Sequence, residues 1–325
     1  MTGSIAELSK LALGWYRSGR GVAIATVVQT WGSAPRPVGS QLIIDADGAM
    51  EGSVSGGCVE SAVITEAMDA IDDGLPRLLT FGVSDDDAFA VGLACGGEIR
   101  ILIEPVGAVM PVEMLEGVVV AGKDGRPVAY VTDLETGGAH LVGPPAYQDR
   151  FRLDQSGIEP DGRTFVVVHN PPLRLVVVGA VHIAQPLVSL ARSCGYTPVL
   201  IDPRKAFGSA ERFPGEHIID DWPDEAMRAL KLDARTAVVT LTHDPKLDDP
   251  AIVAALSTDV FYLGSLGSKR THAKRIERLR GLGFSDAELN RIHAPVGLDL
   301  GGRHPAEIAV SIMAEVTQTL RKTDG

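Results

Sequence analysis

Two of the three cysteines in the chain lie in runs of small residues, Gly52-Ser53-Val54-Ser55-Gly56-Gly57-Cys58-Val59-Glu60 and Ala94-Cys95-Gly96-Gly97-Glu98. Glycine and serine let the backbone approach a ligand closely and expose amides. The helical pattern that opens at Val59 adds a partly positive terminus. A thiol placed there is expected to have a lowered pKa beside an anion site formed by Ser55, Gly56 and Gly57. Soft thiolates suit molybdenum- or copper-like centres and persulfide chemistry, so Cys58 and Cys95 are the candidate metal ligands. They do not form a zinc signature, because there is no C-x-x-C and no histidine at metal spacing. The competing reading of each is a small buried apolar residue. Each also adjoins a glutamate, Glu60 or Glu98, able to cap or position it. An earlier loop, Trp31-Gly32-Ser33-Ala34-Pro35-Arg36-Pro37, contributes Arg36. Cys194, at the end of a predicted helix, reads as structural.

The second half carries a different set. Leu175-Val176-Val177-Val178 is a buried parallel-type strand leading into Gly179-Ala180-Val181-His182, and Asp202 ends the next strand. A dinucleotide-binding fingerprint requires this context. Val181 stands where the fingerprint has its second glycine, and a β-branched side chain there obstructs a pyrophosphate. Nucleotide binding and a cofactor-free Rossmann-type domain therefore both stay open. His182 and His243 fall at C-terminal ends of predicted strands, where α/β folds bind ligands. Gly264-Ser265-Leu266-Gly267-Ser268-Lys269-Arg270 follows another such end, with Lys269, Arg270 and Lys274 as candidate phosphate contacts. No G-x-S-x-G, H-E-x-x-H or Walker A loop is present, so the usual hydrolase and ATPase readings lack support.

These residues must be positioned by elements of two kinds. Apolar residues at helical spacing predict an opening helix over 4–18, then strands over 22–30 and 40–45. A helix over 59–71 and strands over 77–81 and 98–104 complete a small sheet, with Asp85-Asp86-Asp87 as a solvated turn. Val118-Val119-Val120, Asp124-Gly125 and Val128-Ala129-Tyr130-Val131 read as a hairpin. Asn170-Pro171-Pro172 is a stiff linker, which sets a boundary between residues 1–170 and 171–325. Beyond it, strands alternate with helical patterns over 223–230, 249–256, 269–280 and 304–321, and Ser285 opens a capping box. The expected fold class is α/β, a small N-terminal α+β domain followed by a Rossmann-like doubly wound parallel sheet.

At 325 residues the chain is long enough for two cores, and its net charge of −12 without a basic block argues against nucleic acid. No apolar run reaches membrane-spanning length, and the N-terminus lacks the features of a signal peptide. Three scattered cysteines form no disulfide framework, so the expected compartment is the cytoplasm.

The chain resembles the XdhC/CoxI family, accessory proteins in the maturation of molybdenum hydroxylases. The resemblance rests on residues 26–39, the Cys58 and Cys95 loops, the Gly179 loop, Leu241-Thr242-His243-Asp244, residues 264–272 and Pro295-Val296-Gly297-Leu298-Asp299. It departs from the family pattern at Val181 and at His304, where a capping hydroxyl is expected. The resemblance implies a dimeric protein that binds molybdenum cofactor as cargo. Such a protein presents the cofactor to a cysteine desulfurase for sulfuration and delivers it to an apo-hydroxylase such as xanthine dehydrogenase. An accessory factor rather than an enzyme is expected. The alternatives are an NAD(P)-dependent oxidoreductase using Gly179 and Asp202, and a nucleotide-responsive scaffold that docks partner proteins.

Overall fold

Helix α1 (Ile5–Arg17) leads into β1 (Val22–Trp31), β2 (Gln41–Asp45) and β3 (Met50–Gly52). Helix α2 (Glu60–Asp73), β4 (Arg77–Phe81) and β5 (Glu98–Pro105) follow. The strands form one antiparallel sheet, ordered β3-β2-β1-β5-β4. Its central strand β1 is buried on both faces. Ile24 and Val28 join Leu8, Ala12 and Leu13 of α1, while Ala23, Ala25 and Val27 join Val63, Ala67 and Ala70 of α2. This burial explains why 22–30 is nearly continuous in apolar residues. The computed structural model describes residues 5–32, 36–82 and 97–322, so the turn expected at Asp85-Asp86-Asp87 lies outside the described residues. Two compact units are present, Met1–Pro171 and Pro172–Gly325.

The expectation for residues 118–131 is overturned. Val118-Val119-Val120 belongs to helix α3 (Val112–Lys123), and Asp124-Gly125 closes that helix rather than a hairpin. Leu115, Val118 and Ala121 recur every three residues and are buried together, and this tertiary stripe overrides the strand preference of three consecutive valines. The real hairpin joins β6 (Val128–Asp133) to β7 (Ala139–Val142). It turns where the Gly137 amide donates to the Asp133 carbonyl at 2.8 Å. With α4 (Gln148–Leu153), β8 (Gly157–Ile158) and β9 (Thr164–His169), these complete a second sheet ordered β7-β6-β9-β8.

The second unit begins with β10 (Leu173–Val178), α5 (Ala184–Ser193), β11 (Tyr196–Ile201), β12 (His217–Ile219), α6 (Pro223–Leu230) and β13 (Thr236–Thr240). It continues with α7 (Pro245–Leu256), β14 (Tyr262–Ser265), α8 (Lys269–Gly281), α9 (Asp286–Leu289), β15 (Ile292–His293) and α10 (Pro305–Arg321). All six strands are parallel, in the order β12-β11-β10-β13-β14-β15. Alternate residues of β10 face opposite layers. Leu175 and Val177 pack with α5 and α10, and Val176 and Val178 pack with α6 and α7. This is the doubly wound sheet expected. The short strands β12 and β15 lie at its edges and carry too few residues to show a pattern. Ser285 and Glu288 form the expected capping box. At His304 the Glu307 carboxylate accepts from the amides of Arg303 and His304 at 2.8 and 2.9 Å, so that helix start is capped without a hydroxyl.

One buried acid links the two sheets of the first unit. Glu104 on β5 is 3% exposed and accepts from the Tyr130 hydroxyl of β6 at 2.7 Å. Burial pushes its carboxyl up to about 7, against the Tyr130 hydrogen bond. A carboxyl raised in the folded state stabilises fully below its ordinary value of 4.5, and the contribution is lost as pH rises through 7. Glu104→Gln, which keeps an acceptor for Tyr130, should therefore resist urea better than the parent chain at about pH 8, with the difference closing at about pH 4–5. A difference that does not change with pH would show that folding does not shift the Glu104 carboxyl.

Candidate functional site

The strand registers bring the N-terminal motifs to one end of the first sheet. Thr26 pairs with Gln41, Trp31 with Glu98, Leu42 with Gly52, and Phe81 with Ile99. The exit of β1 toward Arg36, the exit of β3 toward Cys58, and the exit of β4 and entry of β5 therefore share one edge. Cys95 and Gly96 lie outside the described residues. Gly97, just before β5, is buried.

Glu60 organises the Cys58 loop. It is the first residue of α2 and folds back over its own loop. Oε1 accepts from the Ser53 hydroxyl at 3.0 Å, the Val54 amide at 3.3 Å and the Ser55 amide at 2.9 Å. Oε2 accepts from the Gly57 amide at 2.8 Å and from the Ser55 hydroxyl. The two hydroxyls in turn accept from the Gly56 and Val59 amides, each at 3.0 Å. Burial acts to raise this carboxyl, but the Ser55 hydroxyl and amide and the Ser53 hydroxyl together hold it down at about 2. Gly52 has φ +100°, and a β-carbon there would collide with the Gln41 carbonyl oxygen. Only glycine admits that turn.

The loop amides expected to await an anion are thus engaged from within. Ser55 is buried, and its donors and those of Gly56 and Gly57 serve Glu60 and the Ser53 hydroxyl. Glu60 is an organiser and not an exposed ligand. What the loop offers is its apex, where Gly56, Gly57 and Cys58 are exposed and the Cys58 thiol is free. Arg36 Nε reaches the Ser53 carbonyl at 3.4 Å, which ties the β1 exit to this loop. Among the described residues no group of three or more His, Cys, Asp or Glu gathers as a metal site. Cys194, read as structural, caps the end of α5 and is exposed.

In the parallel sheet, the winding order reverses between β10 and β13, the switch point where such folds bind ligands. Gly179 has φ +107°, and a β-carbon on it would lie 2.5 Å from Thr242 Cγ2, so this glycine makes room for the neighbouring loop. Val181, where the fingerprint has its second glycine, is half-buried against the α5 and α10 core. Asp202, expected to meet a ribose, is 1% exposed and already engaged. It accepts from the Ala180 amide at 2.8 Å and from the Arg204 side chain, also at 2.8 Å. Burial opposes this charge, yet the Arg204 hydrogen bonds hold the carboxyl below its ordinary value. Arg204 itself lies over Phe207, 4.1 Å from the ring centroid.

His182 and His243 are both exposed at the sheet edge, and His243 has φ 62°. Gly264 and Ser265, expected as ligand contacts, are instead interior residues of β14. Ser265 shares a 2.6 Å hydrogen bond with the Thr240 hydroxyl, and Val296 covers Gly264. The strand runs two residues further than expected, which keeps both in the sheet. Pro295-Val296-Gly297 is structural. The Gly297 amide donates to Glu315 at 2.7 Å, beside Tyr262 and His293. Arg270 lines a cavity beyond β13, whereas Lys269 is exposed and not part of it. Asp248 and Arg275, both buried in that cavity wall, escaped notice in the sequence. The available signal was an arginine on the apolar stripe of α8, four residues before Leu279.

A two-sheet unit with a locked glycine loop, joined in sequence to a Rossmann-type sheet, defines the class. The XdhC Rossmann domain matches residues 175–316, and the XdhC and CoxI family matches residues 15–82. The chain is 33% identical to the molybdenum cofactor insertion chaperone PaoD of Escherichia coli (strain K12), over 92% of this chain and 83% of that protein. It is 29% identical to a probable xanthine dehydrogenase subunit of Bacillus subtilis (strain 168), over 92% of this chain and 93% of that protein. A solved structure described as a xanthine dehydrogenase from Bacillus halodurans superposes with a TM-score of 0.72 at 27% identity, covering 98% of this chain and 96% of that one. The chain belongs to the XdhC and CoxI family.

The Glu60 carboxylate stabilises the fold fully above its ordinary value of 4.5, and this is lost as pH falls toward 2. Glu60→Gln should cost about 2–3 kcal/mol near neutral pH, the scale of losing a buried charged acceptor. The difference from the parent chain should shrink below about pH 4. Urea midpoints at both pH values check this, and an unchanged midpoint near neutral pH would refute the organising role.

Proposed function

We propose that this chain is a molybdenum-cofactor chaperone that holds the cofactor as cargo, presents it for sulfuration by a cysteine desulfurase and inserts it into a xanthine dehydrogenase-like apo-hydroxylase. The observation that carries the reading is the exposed Cys58 thiol at the apex of a loop whose every turn is held by Glu60. A thiol fixed in space and open to solvent meets a soft metal or a persulfide sulfur without being enclosed. A carrier requires that openness, because a closed four-ligand cage would not release its cargo. The relative named as an insertion chaperone, aligned over most of both chains, supports the same role.

Cys95, three residues before β5 in the sequence, serves as the second thiol. The protein acts as a cytoplasmic homodimer. No helix among the described residues is long and apolar enough to cross a membrane. The oxidoreductase alternative is weakened at its key residue, since Asp202 is buried and paired with Arg204 and so offers no free carboxylate to a ribose.

The test is the molybdenum and pterin content of freshly purified protein from a cofactor-competent host, followed by activation of an apo-hydroxylase. Cys58→Ala should lower retention by about tenfold or more, the scale of perturbing a metal's surroundings. Cys194→Ala, which removes another exposed thiol, should leave retention unchanged. Equal retention in the two variants would overturn the assignment of Cys58, and protein free of both metal and pterin would overturn the function.

A further inference from the structure

The carboxyl edge of the parallel sheet carries a second feature, independent of the Cys58 loop. A cavity of about 290 Å³ opens beyond β13, lined by His243, Asp248, Arg270, Lys274 and Arg275 among others. Its inner wall holds two opposite charges removed from water, Asp248 at 1% and Arg275 at 2% exposure. Burying such charges is costly unless their hydrogen bonds are completed. They are not completed here. Arg275 Nη2 donates to the Leu266 carbonyl at 3.1 Å, but Nε and Nη1 have no hydrogen-bond partner among the described residues. Asp248 Oδ1 accepts from the Thr242 hydroxyl at 2.6 Å, while Oδ2 is unpartnered and 3.6 Å from Arg275 Nη2.

The rim adds charge of one sign. Arg270 and Lys274 are four residues apart on α8, so they project from the same face and repel each other unless an anion lies between them. Arg278, a further four residues on, is held by Asp249 in a two-point contact at 2.6 and 2.9 Å and is not free. The result is three cations against one buried carboxylate, with two buried guanidinium nitrogens of Arg275 left unpaired. A planar guanidinium with two free N–H groups matches the oxygens of a phosphate, and flanking cations complete the match.

We propose that this cavity binds the phosphate or diphosphate group of a small phosphate ester. Arg275 grips the phosphate from the buried side, and Arg270 and Lys274 grip it from the rim. Asp248 Oδ2 accepts from a neighbouring hydroxyl or amine of the same molecule. The site lies beyond Thr242 from Gly179, so it does not depend on the glycine fingerprint that Val181 interrupts. Two sources supply this chemistry, a free nucleotide or the phosphate of the cargo pterin, and the cargo-bearing arm of the test rests on the function proposed above.

The test is calorimetric titration of the full-length, cofactor-free protein with inorganic phosphate, inorganic diphosphate and adenosine and cytidine 5′-monophosphates. Diphosphate or a nucleotide should bind more tightly than phosphate, with affinity falling as salt rises. Arg275→Gln and the exposed Lys274→Glu should each weaken binding by about tenfold or more, the scale of one charge-assisted hydrogen bond. Arg278→Gln should change it little. Lys274→Glu keeps the test decisive if Arg275→Gln fails to fold. Loss of diphosphate binding in cofactor-loaded protein would assign the site to the cargo's phosphate, and retained binding would assign it to a separate nucleotide. No binding of any probe, or equal binding by parent and Lys274→Glu proteins, overturns the proposal whether or not the chaperone function stands.

Discussion

The first unit depends on a carboxylate that returns to the loop it follows. Glu60 gathers three amides and two hydroxyls from residues 53–57, so a stretch rich in glycine and serine has one conformation rather than many. Glycine-rich segments lose more backbone entropy on ordering than any others, and a charged acceptor with five donors offsets that loss. The cost is chemical: the amides that would bind a foreign anion are already occupied. The loop's remaining offer to solvent is the exposed apex that ends in Cys58.

The same logic separates the acids of the Rossmann unit. Asp202 has found its partners within the chain, in the Ala180 amide and Arg204, and its role is to brace the first strand-to-helix turn. Asp248 has found only half of its partners, and the arginine beside it likewise. A buried polar group left incomplete is costly, so a protein retains one where something else completes it. The incomplete pair lies between α7 and α8, away from the glycine turn where a reading by motif looks first.

Much of the architecture was legible because burial leaves a period. The two-sided burial of β1 and β10 writes continuous apolar runs, and α1, α2 and α10 write helical stripes. Where local preference and packing disagree, the pattern misleads. Three valines in α3 look like a strand until Leu115, Val118 and Ala121 are seen packing as one face. Gly264 and Ser265 look like a ligand loop until β14 is seen to include them. Hydrogen-bond partners far apart in sequence, such as Glu104 with Tyr130, and ion pairs such as Asp248 with Arg275 leave no periodic trace at all.

By itself the sequence determined the class of fold, a small α+β part followed by a doubly wound parallel sheet, and the motifs that mark the family, because these follow from turn chemistry and apolar spacing along the chain. Only the tertiary structure decided what each polar residue does. Whether a glutamate caps its own loop or faces a ligand, and whether an arginine is paired or open, depends on which donors and acceptors reach within about 3 Å across the fold. That is a property of distance in space, and the order of residues does not state it.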